Sequence, residues 1–196
     1  MISLNKINGA DRLCEKYERK CLEEFKGYLI GVVMGVAYGG DLERIARIWD
    51  KRGKVYGCDT YEGHPRHLSN NINNFEATCM DYWYHQYGME KLAYEYQRKE
   101  LDNQGLTNAI LIKGLVNKDS CKDIPYLNYA FLDMDILASM KAGYEAVKDK
   151  IVKGGYLLLH DCYQNIAVLE EWYQKEIKPY WEVMDENYLT AVVRKK

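Results

Sequence analysis

The chain has 196 residues and a formal net charge of −2, with 27 Lys and Arg against 29 Asp and Glu. Apolar residues make up 47% and charged residues 29%, ordinary for a soluble globular protein. That balance gives no broad electrostatic case for nucleic acid or an anionic membrane, and the length suits one domain whose core needs no staples.

Asp11 to Lys26 is expected to form an amphipathic helix, with Leu13, Tyr17, Cys21 and Phe25 on one stripe and Gly27 ending it. Leu29 to Met34 is an apolar run long enough for a buried strand and too short for a core helix. Gly35, Gly39 and Gly40 fall within one tight bend. Leu42, Ile45, Ala46 and Trp49 then recur at helical spacing, with Asp41 as the expected N-cap. Lys54 to Cys58 returns to a strand that ends on Asp59. This is one βαβ unit with a right-handed crossover. Ligands of such sheets bind beyond the carboxyl ends of the strands, where the glycine turn and Asp59 both lie.

The stretch from Thr60 to Pro65 is a loop at that edge, and His67 to Asn74 is polar and asparagine-rich. Asn73 to about Leu101 reads as helical, with Met89, Leu92, Ala93 and Tyr96 as its stripe. The chain has 18 tyrosines, many of them between Tyr61 and Tyr96. Residues 64–104 are longer than a plain crossover needs, which suggests a lid; packing on the sheet face or a subunit contact is the alternative. His85, among Tyr82, Trp83, Tyr84 and Tyr87, suits either packing or stacking on a sugar or aromatic acceptor. His64 and His67, near the same edge, suit either contact with a substrate or plain surface-loop positions, the latter being the commoner case.

Ala109 to Lys113 is a third strand and Tyr129 to Leu132 a fourth, the latter followed by Asp133-Met134-Asp135. Leu137, Met140, Tyr144, Val147 and Ile151 keep helical spacing until Gly154-Gly155. Tyr156 to Leu159 is a fifth strand running into His160-Asp161-Cys162. Ile166, Leu169, Tyr173 and Ile177 mark a helix closed before Pro179. Trp181 to Met184 and Tyr188 to Val193 are joined too tightly for a crossover, so they should pair as an antiparallel hairpin.

The six cysteines (Cys14, Cys21, Cys58, Cys79, Cys121 and Cys162) form no C-x-x-C pair and no zinc spacing, which suits reduced thiols in a cytoplasmic protein. The N-terminus lacks a signal-peptide pattern, and no apolar run reaches membrane-spanning length.

Two groups of residues carry chemistry. Asp59 lies about 20 residues past the glycine turn, where a carboxylate can accept ribose hydroxyls. That spacing also suits NAD, although Ala37 stands where the dinucleotide fingerprint wants glycine. A turn without ligand, and Asp59 as a helix cap, are the bland alternatives. Asp133, Asp135, His160 and Asp161 end two strands at the same edge, and neighbouring strands lie close enough for Asp133 and the His160-Asp161 pair to share one cation. Without a metal, His160 would hydrogen-bond Asp133 or act as a base itself.

Four stretches, GVAYGG (35–40), GKVYGCDTYEGHP (53–65), FLDMD (131–135) and GGYLLLHDC (154–162), together with the terminal hairpin, give the chain a resemblance to class I S-adenosylmethionine-dependent methyltransferases. More narrowly, it resembles the metal-dependent sugar O-methyltransferases of the macrocin O-methyltransferase family. The resemblance implies a Rossmann-like three-layer α/β sandwich, with a seven-stranded, mostly parallel sheet closed by an antiparallel hairpin. The whole of 1–196 would be one methyltransferase domain, with an N-terminal helix in 1–27.

The resemblance implies S-adenosylmethionine at Gly35, Tyr38, Gly39, Gly40, Asp59 and Thr60. It further implies a divalent metal, Mg or Mn, on Asp133, His160 and Asp161. Asp133 and His160 would serve catalysis, with Asp135 as general base. The acceptor would be a hydroxyl on a sugar or glycosylated metabolite; the partners would include no nucleic acid and no membrane, and a homo-oligomer stays open. The chain departs from the pattern at Val33 and Met34, where class I members carry an acidic residue, and at His160, where the family has a carboxylate. The alternatives are a catechol-type acceptor and a non-catalytic nucleotide-binding or scaffold domain.

Overall fold

In the computed structural model, the described residues are 4–62, 93–162 and 166–196, and side chains in the first helix are described from Arg12 onward. The elements run α1 (Leu4–Glu24), β1 (Leu29–Met34), α2 (Gly40–Trp49), β2 (Gly53–Asp59), α3 (Tyr94–Asn103), β3 (Ala109–Lys113), β4 (Leu127–Leu132), α4 (Leu137–Val147), β5 (Ile151–His160), α5 (Ala167–Trp172), β6 (Glu182–Glu186) and β7 (Thr190–Arg194). A π-helical turn, Tyr173–Ile177, continues α5.

The strands form one seven-stranded sheet in the order β3-β2-β1-β4-β5-β7-β6. β1 to β5 are mutually parallel, and β7 lies antiparallel between β5 and β6. β1 (LIGVVM) is buried at every position, as expected of a parallel strand covered on both faces. Strand order reverses between β1 and β4, so the crevice beyond their carboxyl ends is the switch point at which such sheets take ligands.

Each face of the sheet has its own core. Val32, Met34, Leu132, Leu157 and Leu159 meet Met140, Leu169 and Trp172 on one face. Val33, Tyr129, Phe131 and Leu158 meet Tyr17, Leu42, Ile45 and Trp49 on the other. Trp49 fits because glycines lie beneath it. A Cβ at Gly31 would come within 2.7 Å of its Cη2, and one at Gly53 within 2.9 Å of its Cε3.

Helix α1 is fixed to α2 by a buried charge. Glu18 is fully buried, and its carboxylate receives Arg44 Nη2 at 2.7 Å and Nε at 2.9 Å. Asp41 takes the same guanidinium at 2.6 Å, and the Trp49 indole N–H donates to the Glu18 carbonyl at 2.9 Å. Burial pushes the Glu18 carboxyl up, and Arg44 opposes that. Removing the guanidinium would leave a buried, unmatched charge, a change that costs about 3–5 kcal/mol.

Several sequence expectations are corrected. The N-cap of α2 is Gly39, in the left-handed region, and Asp41 sits within the first turn. α1 begins at Leu4, ahead of the expected Asp11. Ile151 opens β5, because a buried strand is apolar enough to prolong a helical spacing; α4 has already ended at Val147. A helix through Ala93 is excluded, since Ala93 is extended and α3 starts at Tyr94. The inward residues of α3 are Gln97 and Leu101, while Tyr96 is exposed. Trp181 and Tyr188 lie just outside the hairpin strands. The expected lid falls mostly on residues 63–92, outside the described residues, as do His64, His67, Cys79 and the aromatic cluster around His85. The remaining five cysteines are free and buried. Among the described residues no helix is long and apolar enough to cross a membrane.

Candidate active site at the carboxyl edge of the sheet

The chain leaves β1 through a turn with little room. Gly35 has φ +87°, and a Cβ there would fall 1.7 Å from the carbonyl oxygen of Asp133. Its N–H donates to the Cys58 carbonyl at 3.0 Å, and the Asp133 N–H donates to the Met34 carbonyl at 2.9 Å. The ends of β1, β2 and β4 are thereby tied together. Gly39 has φ +85°, a conformation open to glycine at little cost. Ala37 and Gly40 are exposed, and a Cβ on Gly40 would meet nothing within 4 Å. Tyr38 lies between them, half-buried.

Asp59 organises this turn. Its Oδ2 accepts the Val36 N–H at 2.7 Å and the Ala37 N–H at 3.2 Å. Its Oδ1 accepts the Tyr61 N–H at 2.8 Å and the Thr60 hydroxyl at 3.2 Å. Gln97 was not singled out by sequence reasoning, yet it closes the turn from α3. It is buried, its Nε2 donates to the Ala37 carbonyl at 3.2 Å, and its Oε1 would lie 2.3 Å from a Cβ on Gly39. Nothing in YEYQRKELDN marks this glutamine apart from its polar neighbours. Beside it, Tyr94 meets Tyr61 edge-on at 5.4 Å.

The second group sits past β4 and β5, which pair in parallel. His160 Nδ1 lies 3.1 Å from Asp133 Oδ1 and 3.2 Å from Asp161 Oδ2. The three side chains are only 28%, 20% and 9% exposed for Asp133, His160 and Asp161. Burial raises the Asp133 carboxyl to about 6, against the pull of the His160 charge. Burial lowers the imidazole, but the Asp133 and Asp161 carboxylates outweigh it and hold His160 well above its ordinary value. Asp135 is adjacent, and its charge adds to the upward push on Asp133.

One ligand atom from each of Asp133, His160 and Asp161 falls within 4.8 Å of the others. His160 Nδ1 is buried without a well-aligned hydrogen bond, although carboxylates crowd it. A donor set of two carboxylates and one imidazole fits a divalent cation, which would take the place of the proton that the carboxylates hold on His160. Asp135 stands outside this triad.

Backbone strain gathers at the same edge. Of the five non-glycine residues with positive φ among the described residues, four lie just past strands there: Ala37, Tyr61, Asp135 and Asp161. Such conformations cost about 1–3 kcal/mol each and persist where surrounding structure enforces them, often at functional sites.

Several solved structures share this architecture. The O-methyltransferase NovP is 18% identical, with a TM-score of 0.71 over 93% of this chain and 79% of that one. The calicheamicin methyltransferase CalS11 is 16% identical, with a TM-score of 0.69 over 94% and 78%. The chain has the class I methyltransferase fold. An rRNA methylase from Streptococcus thermophilus shares that fold at 15% identity and a TM-score of 0.61, over 100% of this chain and 98% of its own. No protein-family model and no curated protein sequence matches the chain. Within the class I methyltransferase fold, the glycine turn and Asp59 occupy one half of the switch-point crevice, and Asp133, His160 and Asp161 the other.

Proposed function

We propose that the chain is an S-adenosylmethionine-dependent methyltransferase that methylates a hydroxyl of a small molecule, with a sugar or glycosylated metabolite as the acceptor class. One observation carries this reading: on a class I fold, a glycine turn held by Asp59 and a carboxylate–imidazole triad face the same edge. A TDP-rhamnose 3'-O-methyltransferase among the neighbours in fold supports the acceptor class, and a net charge of −2 argues against a nucleic-acid partner.

S-adenosylmethionine supplies a methyl group on a sulfonium, and transfer is an in-line displacement that needs the acceptor oxygen aligned and its proton removed. The backbone from Gly35 to Gly40, with Tyr38, borders the amino-acid part of the cofactor. Asp59 and Thr60 hold the ribose hydroxyls. A carboxylate offers about four lone-pair sites, and four donors already fill those of Asp59, so a ribose hydroxyl would displace one of them, the rotatable Thr60 hydroxyl at 3.2 Å first. Asp133, His160 and Asp161 would hold a divalent metal, Mg or Mn, which would acidify and orient the acceptor hydroxyl. The imidazole nitrogen favours Mn over Mg in that set. Asp135, beside the triad and outside it, takes the proton.

Thermal unfolding tests the reading. S-adenosylhomocysteine should raise the melting temperature, by an amount corresponding to about 2.7 kcal/mol at a hundred times its Kd, and NAD should leave it unchanged. A second reading, a non-catalytic domain of the same fold, draws on the fully buried Val33 and Met34 in β1, where class I members carry an acid. No shift with S-adenosylhomocysteine would favour it.

A further inference from the structure

Two of the free cysteines meet inside the core. Cys58 is the penultimate residue of β2, just before Asp59, and Cys121 lies in the connection between β3 and β4. Both are buried in the same hydrophobic cluster, and their thiols share a hydrogen bond. That bond raises the Cys58 thiol, with burial adding to the rise. It lowers the Cys121 thiol against the effect of burial, helped by the charge of Lys150. Cys58 is therefore the donor, and Cys121 is the sulfur that takes on negative charge. The Lys150 ammonium is fixed beside it by carbonyls on its own loop: Nζ donates to the Lys122 carbonyl at 3.2 Å and the Ile124 carbonyl at 2.7 Å. The thiolate is the reactive form of cysteine, and a neighbouring ammonium favours it.

The two sulfurs are held unequally. Cys58 belongs to an interior strand, between β1 and β3. The connection that carries Cys121 has turns but no helix or strand, and Lys118, Asp119, Lys122 and Asp123 around it are exposed. A cover of this kind opens locally at small cost, so the more reactive sulfur is also the one that reaches solvent first.

We propose that Cys58 and Cys121 form a modification site for a peroxide, which converts the dithiol to a disulfide and fastens the β3–β4 connection to the strand that carries Asp59. The Cys121 thiolate attacks one peroxide oxygen, the O–O bond breaks, and the departing hydroxide takes up the thiol proton and leaves as water. The Cys58 sulfur then attacks the Cys121 sulfenic acid. The S–S bond forms, the S–O bond breaks, and the hydroxide leaves with the Cys58 proton as a second water. The two thiols give up two electrons and two protons in all, and the peroxide becomes two waters.

Hydrogen peroxide added to the full chain tests this. The intact mass should fall by two hydrogen atoms, and peptide mapping without reductant should find residues 58 and 121 linked. Dithiothreitol should reverse both changes. The linked protein should melt about 4–16 °C above the reduced one, because the bond closes a long loop. Cys121→Ala should show no such loss of mass. Cys58→Ala should stop at the sulfenic acid, read as a dimedone adduct on Cys121. Folded wild-type protein in which residues 58 and 121 both stay open to alkylation after peroxide overturns the proposal. So does a link that joins other cysteines, or a 58–121 link that leaves the melting temperature unchanged or lower. These readouts involve neither cofactor nor metal, so their failure leaves the proposed methyl transfer untouched.

Discussion

The two halves of the carboxyl edge use carboxylates in opposite ways. Asp59 is surrounded by donors: three backbone N–H groups and the Thr60 hydroxyl converge on its two oxygens. Asp133 and Asp161 instead crowd one imidazole, and Asp135 adds a third negative charge nearby. The first arrangement is complete in itself and shapes the backbone. The second leaves like charges unbalanced and a buried nitrogen poorly bonded. Removing a carboxylate should therefore destabilise one half and relieve the other.

The largest expected effect lies in turnover. Asp135→Asn removes the proposed base and should lower kcat by about 10²–10⁴-fold. Binding of S-adenosylhomocysteine, measured by calorimetry, should be unchanged. A variant that kept full kcat would shift the base to His160 or to another group.

Stability separates the two halves next. Asp59→Ala strips the acceptor from three backbone N–H groups, at about 1–3 kcal/mol for each group left unsatisfied. It should lower the melting temperature and abolish cofactor binding. Asp133→Asn, measured in a chelator, should hold or raise the melting temperature while turnover falls. The sign with pH follows from the shift. The folded pKa of Asp133, about 6, lies above the value of about 3.9 usual for an unfolded aspartate. Its contribution is thus present below about pH 4 and lost as pH rises through 6. His160 is shifted in the same direction. Asp133→Asn should accordingly gain on the wild type as pH climbs from 4 to 7. Equal melting temperatures across that range would erase the contrast between the halves.

The smallest effect belongs to the closure of the turn. Gln97→Leu removes one donor to the Ala37 carbonyl and should cost about 1–3 kcal/mol through the group left unpaired, with cofactor affinity several-fold weaker. Cofactor affinity equal to the wild type would make Gln97 a packing residue only.

The parts of this edge that were legible in the sequence share a cause. Strands β1 to β5 are short apolar runs stopped by glycine or acid, and in a parallel sheet every strand end faces the same side. Asp59, Asp133, His160 and Asp161 could therefore be placed together before any coordinates. What escaped depends on neighbours distant in sequence. Gln97 reaches the turn only because α3 docks there. Gly39 caps α2 in place of Asp41 because the turn enforces a left-handed residue. The helical spacing that ran on to Ile151 could not show where a buried helix gives way to a buried strand.

Helix α1 carries a practical consequence for anyone trimming the protein. A fragment beginning at Tyr28 would retain every strand and both halves of the crevice. It would also uncover Trp49 and Tyr129 and deprive Arg44 of its Glu18 counter-ion, while Asp41 would keep its hold on that guanidinium. The guanidinium is anchored one turn after the cap at Gly39, so the damage would first appear as a loosened glycine turn and weaker binding of the proposed cofactor, with the sheet itself still assembled.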